Sequence, residues 1–287
     1  PRRLERPASR VTLATNEPGD GSRPWTAAVW FIATVLTLAS LQALPNALDS
    51  TAVAVPGWLR PVTTVLGGGL SPTWAVVLVG GLTIGWPSLA RLVRGSVRVS
   101  VGVGTYLLAA LAPIAVMTVA VVVSGVTPEG ITISPTLLVG QVLLVAPIFA
   151  FAEQLGWRVW LQRSLQTRLS PVLAGGLVGC VWSAFHWPLF LSGSPTVHAQ
   201  LPYLPFFAVT TILSILLAEL YNASRGSLLP VVTAHVVWNV SLQFALPTTR
   251  EGTVQLLFVA AGTLVVLVLV LRWWWGARQS GLATPIQ

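Results

Sequence analysis

The chain has 287 residues, of which 54% are hydrophobic and only 8% are charged, and its mean hydropathy is +0.78. A soluble globular protein has about 25% charged residues, so this composition excludes that class and indicates a polytopic membrane protein. The formal net charge of +8 suggests a nucleic-acid partner at first sight. However, the arginines lie in the tails and in short segments between apolar runs. That distribution is typical of membrane orientation, so we expect no nucleic-acid binding.

Residues 1–23 are polar and rich in arginine, and they are predicted to form a flexible cytoplasmic tail. A transmembrane domain is predicted at 24–272, followed by a second cytoplasmic tail at 273–287. A helix needs ~20 residues to cross a ~30 Å hydrocarbon core. Apolar stretches of about this length predict an all-α bundle of about eight transmembrane helices, at 25–44, 70–89, 100–124, 136–159, 171–193, 204–222, 228–246 and 253–272.

The segment 45–69 separates the first two predicted spans. It contains three prolines and the run Gly67-Gly68-Gly69, so it is interpreted as too broken for a ninth span. Trp58 favours a position along the outer membrane interface, and a plain loop is an equal alternative.

The arginines between the predicted spans fall mainly on one side of the membrane. Arg94, Arg163, Arg225 and Arg272 each follow an even-numbered span, and further arginines occupy the N-terminal tail. The positive-inside rule therefore predicts that both termini are cytoplasmic. We expect an integral protein of a bacterial cell membrane, with the lipid bilayer as its surroundings.

Three short polar groups interrupt the apolar runs. An ionisable side chain at membrane depth costs roughly 2.5–3.5 kcal/mol on the mildest insertion scale, and it usually faces a bundle interior or a wet cavity. A single histidine in such a position is often only a helix-packing contact, but three predicted spans contribute polar groups here. We therefore expect one buried site formed by Glu153-Gln154-Leu155-Gly156-Trp157-Arg158, Trp182-Ser183-Ala184-Phe185-His186 and His235-Val236-Val237-Trp238-Asn239.

Helical spacing predicts which of these side chains cooperate, because residues four apart lie on one face. Arg158 is expected to reach Glu153 and hold its carboxylate, since a guanidinium binds a carboxylate with two parallel bonds. Pro188 is expected to end or kink the fifth span just after the second group. Three pairs have the four-residue spacing, namely Gln154 with Arg158, Trp182 with His186, and His235 with Asn239.

The residue types suggest activation of a water molecule. A carboxylate beside an imidazole can do this, with Glu153 as the base and His186 holding or polarising the same water. His235 and Asn239 can donate two hydrogen bonds to a developing oxyanion. A metal is an alternative, because Glu153, His186 and His235 form a two-histidine, one-carboxylate set suited to zinc. The chain contains no H-E-x-x-H motif, so we expect no cofactor and no metal.

Two further ionisable residues, Glu219 and His198, lie outside the three groups. Glu219 lies near the end of the sixth predicted span with no motif around it, and a structural or interfacial role is expected. His198 lies in a predicted outer loop, where exposure to solvent is the default.

Together, the three groups resemble the motifs of the CPBP family, which comprises CAAX proteases and bacteriocin-processing enzymes and is also described as glutamic intramembrane proteases of the Abi group. The family pattern is E-E-x-x-x-R, then F-x-x-x-H, then H-x-x-x-N, and the resemblance covers roughly residues 140–245. Two positions differ, since Gln154 replaces the second glutamate and Trp182 replaces the phenylalanine.

The resemblance implies a CAAX-protease-like fold and an intramembrane endopeptidase. It implies that Glu153 and His186 activate a water that attacks a peptide carbonyl. It also implies that His235 and Asn239 bind the oxyanion, with Gln154, Arg158 and Trp182 in support. The implied substrates are membrane-bound, possibly prenylated peptides or small secreted peptides.

Two other functions remain open at this point. The first is an enzyme on the same scaffold that isomerises or cyclises a polyprenyl lipid, using Glu153 or Glu219 as acid or base. The second is a non-catalytic immunity or scaffold protein that binds a partner peptide or membrane protein.

Overall fold

The structure is a computed structural model that describes residues 23–51, 54–128, 139–191 and 201–281, and every regular element in these ranges is helical. The helices of the N-terminal half are α1 (Arg23–Ser40), α2 (Leu44–Ser50), α3 (Leu59–Gly67), α4 (Ser71–Ala75), α5 (Gly81–Ile84), α6 (Trp86–Ser96) and α7 (Val103–Ser124). Those of the C-terminal half are α8 (Ala146–Gln154), α9 (Arg163–Leu165), α10 (Pro171–Leu191), α11 (Tyr203–Ala223), α12 (Leu229–Ala245) and α13 (Arg250–Gly281).

The predicted all-α membrane bundle is confirmed. Within the described residues, six segments are long and apolar enough to cross a membrane, and a bent helix pair makes up to seven. The seventh predicted span corresponds to α12, which has only 17 residues. The six segments are Trp25–Asn46, Val103–Ser124, Val142–Leu165, Pro171–Phe190, Tyr203–Ala223 and Arg250–Arg272.

The second predicted span differs most from the structure. Helix α3, which lies inside the predicted loop 45–69, pairs with the helical segment Ser71–Ile84, and the two are bent by 66°. Gly85 then adopts φ +77, a conformation that favours glycine, and the chain turns into α6. Glycines thus divide this region into short helices, because they permit turns that an apolar run of other residues would resist.

Two further boundaries differ from the predictions. Helix α10 continues through Pro188 to Leu191, so this proline does not end the helix immediately. Helix α13 continues to Gly281, well into the predicted C-terminal tail. The predicted N-terminal tail up to residue 22, His198 and residues 282–287 lie outside the described residues.

The outward faces of the long helices are apolar. Along α7, for example, Val103, Leu107, Leu111 and Val122 are all more than half exposed. Exposed side chains of this kind are unfavourable in water, but they suit hydrocarbon. This pattern agrees with the composition in indicating an integral membrane protein.

Small residues bring α10 and α11 into close contact, as is common between helices in membranes. These two helices share the most extensive helix–helix contact in the described structure. Gly179 of α10 lies directly against the backbone of Thr211 in α11, and Gly175 lies against Ile215 and Ala218. Because the two backbones approach so closely, α10 is held at a fixed height along α11, and this contact positions the side chains of α10.

The arginine-bearing segments meet at one end of the bundle. Ser227 donates a hydrogen bond to the carbonyl of Arg98, so the α6–α7 and α11–α12 connections touch. At the same end, Arg163 stacks over the ring of Tyr221, and Arg272 forms an ion pair with Glu219. The expected structural role of Glu219 is consistent with this pairing.

The α10–α11 contact yields a stability prediction. A Cβ at Gly179 would lie 2.6 Å from Thr211 Cα and 2.9 Å from Thr211 O, both of which are backbone atoms. We expect Gly179→Ala to destabilise the protein by about 2 kcal/mol, which lowers the unfolding temperature by roughly 4–8 °C. Thermal unfolding in detergent micelles measures this.

Gly176 provides a matched control on the same helix. A Cβ there meets only Ile215 Cδ1 at 3.9 Å, an ordinary contact. Gly176→Ala is expected to leave the unfolding temperature unchanged or to raise it slightly, since alanine is the better helix former. Equal effects of the two substitutions would contradict the close approach at Gly179.

Candidate functional site

The structure brings the four predicted catalytic residues to one cavity of about 40 Å³ between α8, α10, α11, α12 and α13. A buried polar site needs on the order of 10–15 Å³ to hold one water, so this cavity can contain water. Its polar lining is Glu153, Trp182, His186, Thr210, His235 and Asn239, and its apolar lining is Phe206, Val209, Leu213, Trp238, Leu242 and Leu257. The cavity lining therefore combines polar side chains with apolar ones.

Glu153 is held at this cavity by the indole of Trp182. Trp182 Nε1 donates a 2.7 Å hydrogen bond to Glu153 Oε2, and the glutamate is only 8% exposed. The two residues meet because the span containing α8 runs on to Leu165, beyond the predicted end at 159. Glu153 and Trp182 are then at nearly equal distances from the turn that connects their antiparallel spans.

Trp182 also orients His186 through its backbone. His186 Nδ1 lies 2.8 Å from the carbonyl oxygen of Trp182. A carbonyl only accepts hydrogen bonds, so Nδ1 must carry a hydrogen. In the neutral ring, Nε2 is then the basic nitrogen. The rings of Phe185 and Phe206 pack edge-on against this imidazole, at centroid distances of 4.8 and 5.2 Å.

Arg158 does not bind Glu153, and this expectation was wrong. The guanidinium is fully buried, and it donates to Gln154 Oε1 at 2.9 Å and to Gln162 Oε1 at 3.0 Å. It also donates to the carbonyl oxygen of Ser214 at 3.1 Å and to the hydroxyl of Ser214 at 2.9 Å. Since Ser214 in turn donates to Gly175 O, the network ties three helices together.

The backbone around Arg158 departs from a regular α-helix. Residues Leu155–Gln162 form a π-helical segment that directly follows α8, with a wider turn than an α-helix. Thr73 donates a 2.8 Å hydrogen bond to the carbonyl of Ala152, just before this segment begins. The segment places Gln154, Arg158 and Gln162 in one hydrogen-bonded row, and π-turns of this kind are frequent at functional sites.

The third group of residues has the predicted helical arrangement. His235 and Asn239 both lie on α12 and both line the cavity. Gln154 Nε2 lies 3.1 Å from His235 Nδ1, which links the first group to the third. The ring of Trp182 stands edge-on to that of His235 at 5.0 Å, so the second group touches the third as well.

Several contacts and residues of the site are not predicted by the sequence. Trp182 is predicted as a supporting residue on one face with His186, but the hydrogen bond from its N–H group to Glu153 is not predicted. Gln162 and Ser214 satisfy Arg158, and Gln162 was detectable as the next residue four positions along the helix. Thr210 lines the cavity from α11, and no sequence pattern indicated it.

Gly69 is a further residue that the sequence reasoning missed. A Cβ at this position would lie 2.5 Å from the ring of Phe149 and 3.2 Å from Glu153 Oε1. The break between α3 and α4 therefore lies directly against the candidate base. The triple-glycine run was visible in the sequence, but it was interpreted only as a helix breaker.

The positions of possible ligands bear on the metal alternative. In the ranges that the structure describes, no group of three or more His, Cys, Asp or Glu side chains is arranged to hold a metal ion. Glu153, His186 and His235 thus line one cavity without forming a compact three-ligand set. Glu219 is not among the lining residues of that cavity.

The comparisons with known proteins agree with the motif order. Residues 135–241 match the family described as type II CAAX prenyl endopeptidase Rce1-like. The matched stretch contains all three polar groups, from Glu153 to Asn239. No curated protein matches the chain significantly. Residues 135–241 are therefore similar to this family of prenyl endopeptidases, which is consistent with the CPBP resemblance.

The Arg158 network leads to a second stability prediction. Arg158→Met removes the donor from acceptor atoms on three buried residues, Gln154, Gln162 and Ser214. Each unsatisfied buried group costs about 1–3 kcal/mol, so we expect a loss of about 3 kcal/mol or more. Arg272→Met is the matched control, because its ion pair with Glu219 is half exposed and should contribute about 1 kcal/mol or less. Comparable losses in detergent unfolding would contradict a central role for Arg158.

Proposed function

We propose, from the Rce1-like domain at residues 135–241, that this chain is a metal-independent intramembrane endopeptidase of the glutamic type. Its substrate would be a membrane-bound peptide, either prenylated or a small secreted peptide. The observation that carries the proposal is that Glu153, His186, His235 and Asn239 line one cavity. The enclosed position suits reaction with a substrate in the membrane.

Glu153 and His186 are proposed to activate the water. Trp182 donates a hydrogen bond to Glu153 Oε2, so we assign Glu153 Oε1 as the atom that accepts a proton from the water. The oxygen of this water attacks the peptide carbonyl carbon at the same time. His186 Nε2 accepts the second O–H of the same water. Two acceptors thus orient the water and raise the electron density on its oxygen, as general base catalysis requires.

His235 and Asn239 are proposed to stabilise the oxyanion of the tetrahedral intermediate. Both side chains can present N–H groups to the cavity from one face of α12. As the C–N bond breaks, Glu153 returns the proton to the leaving amine. The products are then a new carboxyl terminus and a free amine, and Glu153 is again a carboxylate.

The apolar lining of the cavity supports the substrate class. Phe206, Leu213 and Leu257 are part of this lining and can accommodate an apolar side chain or part of an isoprenoid. We further propose that the arginine-bearing end of the bundle faces the cytoplasm, as the positive-inside rule predicts.

Two isosteric substitutions test the assignment of the base. Glu153→Gln removes the proton acceptor while it keeps the side-chain shape, and we expect kcat to fall by about 10²–10⁴-fold. Glu219→Gln makes the same change outside the cavity and should retain activity. The measurement is cleavage of prenylated and unprenylated membrane peptides by purified protein in liposomes, followed by mass spectrometry, with and without a metal chelator.

The outcomes of this experiment separate the candidate functions. If both variants cut as well as the parent, Glu153 is not the base. If the parent yields no peptide product but alters a polyprenyl lipid, the lipid-modifying alternative replaces the proposal. Loss of cleavage with the chelator would contradict metal independence.

The oxyanion assignment is tested at Asn239. Asn239→Ala removes one donor that acts mainly in the transition state, so kcat should fall by about 10²–10³-fold with little change in KM. Asn222→Ala serves as a control, because Asn222 is exposed near the end of α11 and contacts Gln162 rather than the cavity. A rise in KM at constant kcat for Asn239→Ala would instead indicate substrate binding.

A further inference from the structure

The orientation of the Gln154 carboxamide follows from its partner. Arg158 Nε lies 2.9 Å from Gln154 Oε1. A guanidinium has only donors, so the carboxamide must point its oxygen at Arg158 and its NH₂ group the other way. Because Gln162 and Ser214 hold the same guanidinium, the donor is itself fixed.

The NH₂ group of Gln154 then determines where His235 carries its proton. It lies 3.1 Å from His235 Nδ1. An amide NH₂ group only donates, so Nδ1 has to accept and cannot carry a hydrogen. A neutral imidazole in this position has its single N–H at Nε2.

His186 has the opposite arrangement. Its Nδ1 faces the carbonyl oxygen of Trp182 and must donate, so its Nε2 is the basic nitrogen. Two imidazoles that line one cavity are thus fixed in opposite tautomers. One of them suits acceptance from a water and the other suits donation to an oxyanion.

We propose that Gln154, oriented by Arg158, is a positioning residue that locks His235 in its neutral Nε2–H tautomer. This inference rests on the proposed function, because it assigns that N–H to the oxyanion. The hydrogen bonds from Arg158 through Gln154 to His235 all point in the same direction, from the buried cation toward the cavity. Each bond polarises the next one, so the cation behind the row strengthens the donor at its end.

The identity of residue 154 is decisive for this arrangement. A glutamate would accept from Arg158 and would also accept from Nδ1, since a carboxylate has no donor. Nδ1 of His235 would then have to carry a proton, either in the other neutral tautomer or in the imidazolium. Glutamine therefore selects a state of His235 that glutamate at the same position excludes.

Solution NMR of the intact protein in detergent micelles tests the proposal directly. The chain has only three histidines, so ¹⁵N-histidine labelling with single His→Gln variants assigns every ring nitrogen. We expect His235 Nδ1 to give a pyridine-type signal and His186 Nδ1 to give a pyrrole-type signal. A protonated Nδ1 in His235 of the unmodified protein would overturn the proposal.

Gln154→Glu and Gln162→Glu form a matched pair for the same spectrum. Both place a carboxylate on Arg158, but the Gln162 amide faces Ala218 O and Asn222, not His235. We expect Gln154→Glu to convert His235 Nδ1 to the protonated type and Gln162→Glu to leave it unchanged. An unchanged signal in Gln154→Glu, or conversion by both substitutions, would contradict the assignment.

A kinetic measurement separates this inference from the proposed function. Gln154→Met removes the donor to Nδ1, and kcat for peptide cleavage should fall about 10-fold or more with little change in KM. If kcat is unchanged, the positioning role is rejected. If the parent cleaves no peptide while the NMR signals are as expected, the proposed peptidase function fails and the tautomer assignment stands.

Discussion

The hydrogen-bonding requirement of one buried cation organises the centre of this protein. Arg158 is fully buried in an apolar helix bundle, where an unsatisfied guanidinium would be very costly. Its acceptors come from its own span and from Ser214 of α11, which is bonded in turn to α10. Meeting that requirement fixes the heights and rotations of three helices, and the same row of hydrogen bonds reaches the cavity through Gln154.

Trp182 performs a second positioning task with two different atoms. Its indole N–H fixes the carboxylate of Glu153, and its carbonyl oxygen fixes the imidazole of His186. A phenylalanine at this position would provide the carbonyl but not the indole donor. In this chain the aromatic residue that opens the second motif therefore also orients the candidate base, while Gly69 limits the space on the other side of the carboxylate.

Because residue 154 is glutamine, the buried Arg158 cation is hydrogen-bonded to neutral acceptors instead of to a carboxylate. Where a second glutamate would pair with Arg158, this chain uses two amide oxygens and a serine. The net positive charge behind the cavity is then not cancelled locally. Such a field favours negative charge in the cavity, as on a carboxylate base or a developing oxyanion, so the replacement of glutamate is compatible with the proposed hydrolysis.

The sequence by itself determined the membrane class, the helical bundle and five of the six polar residues that line the cavity, because apolar length and isolated polar groups are local properties. Helical spacing alone predicted that His235 and Asn239 lie on one face of a helix. Only the tertiary structure decided that Arg158 also binds Ser214 and does not bind Glu153, because Ser214 lies on a separate helix. It also decided that Trp182 binds the carboxylate and that Gly69 lies beside it, because both positions depend on how separate helices are staggered and bent.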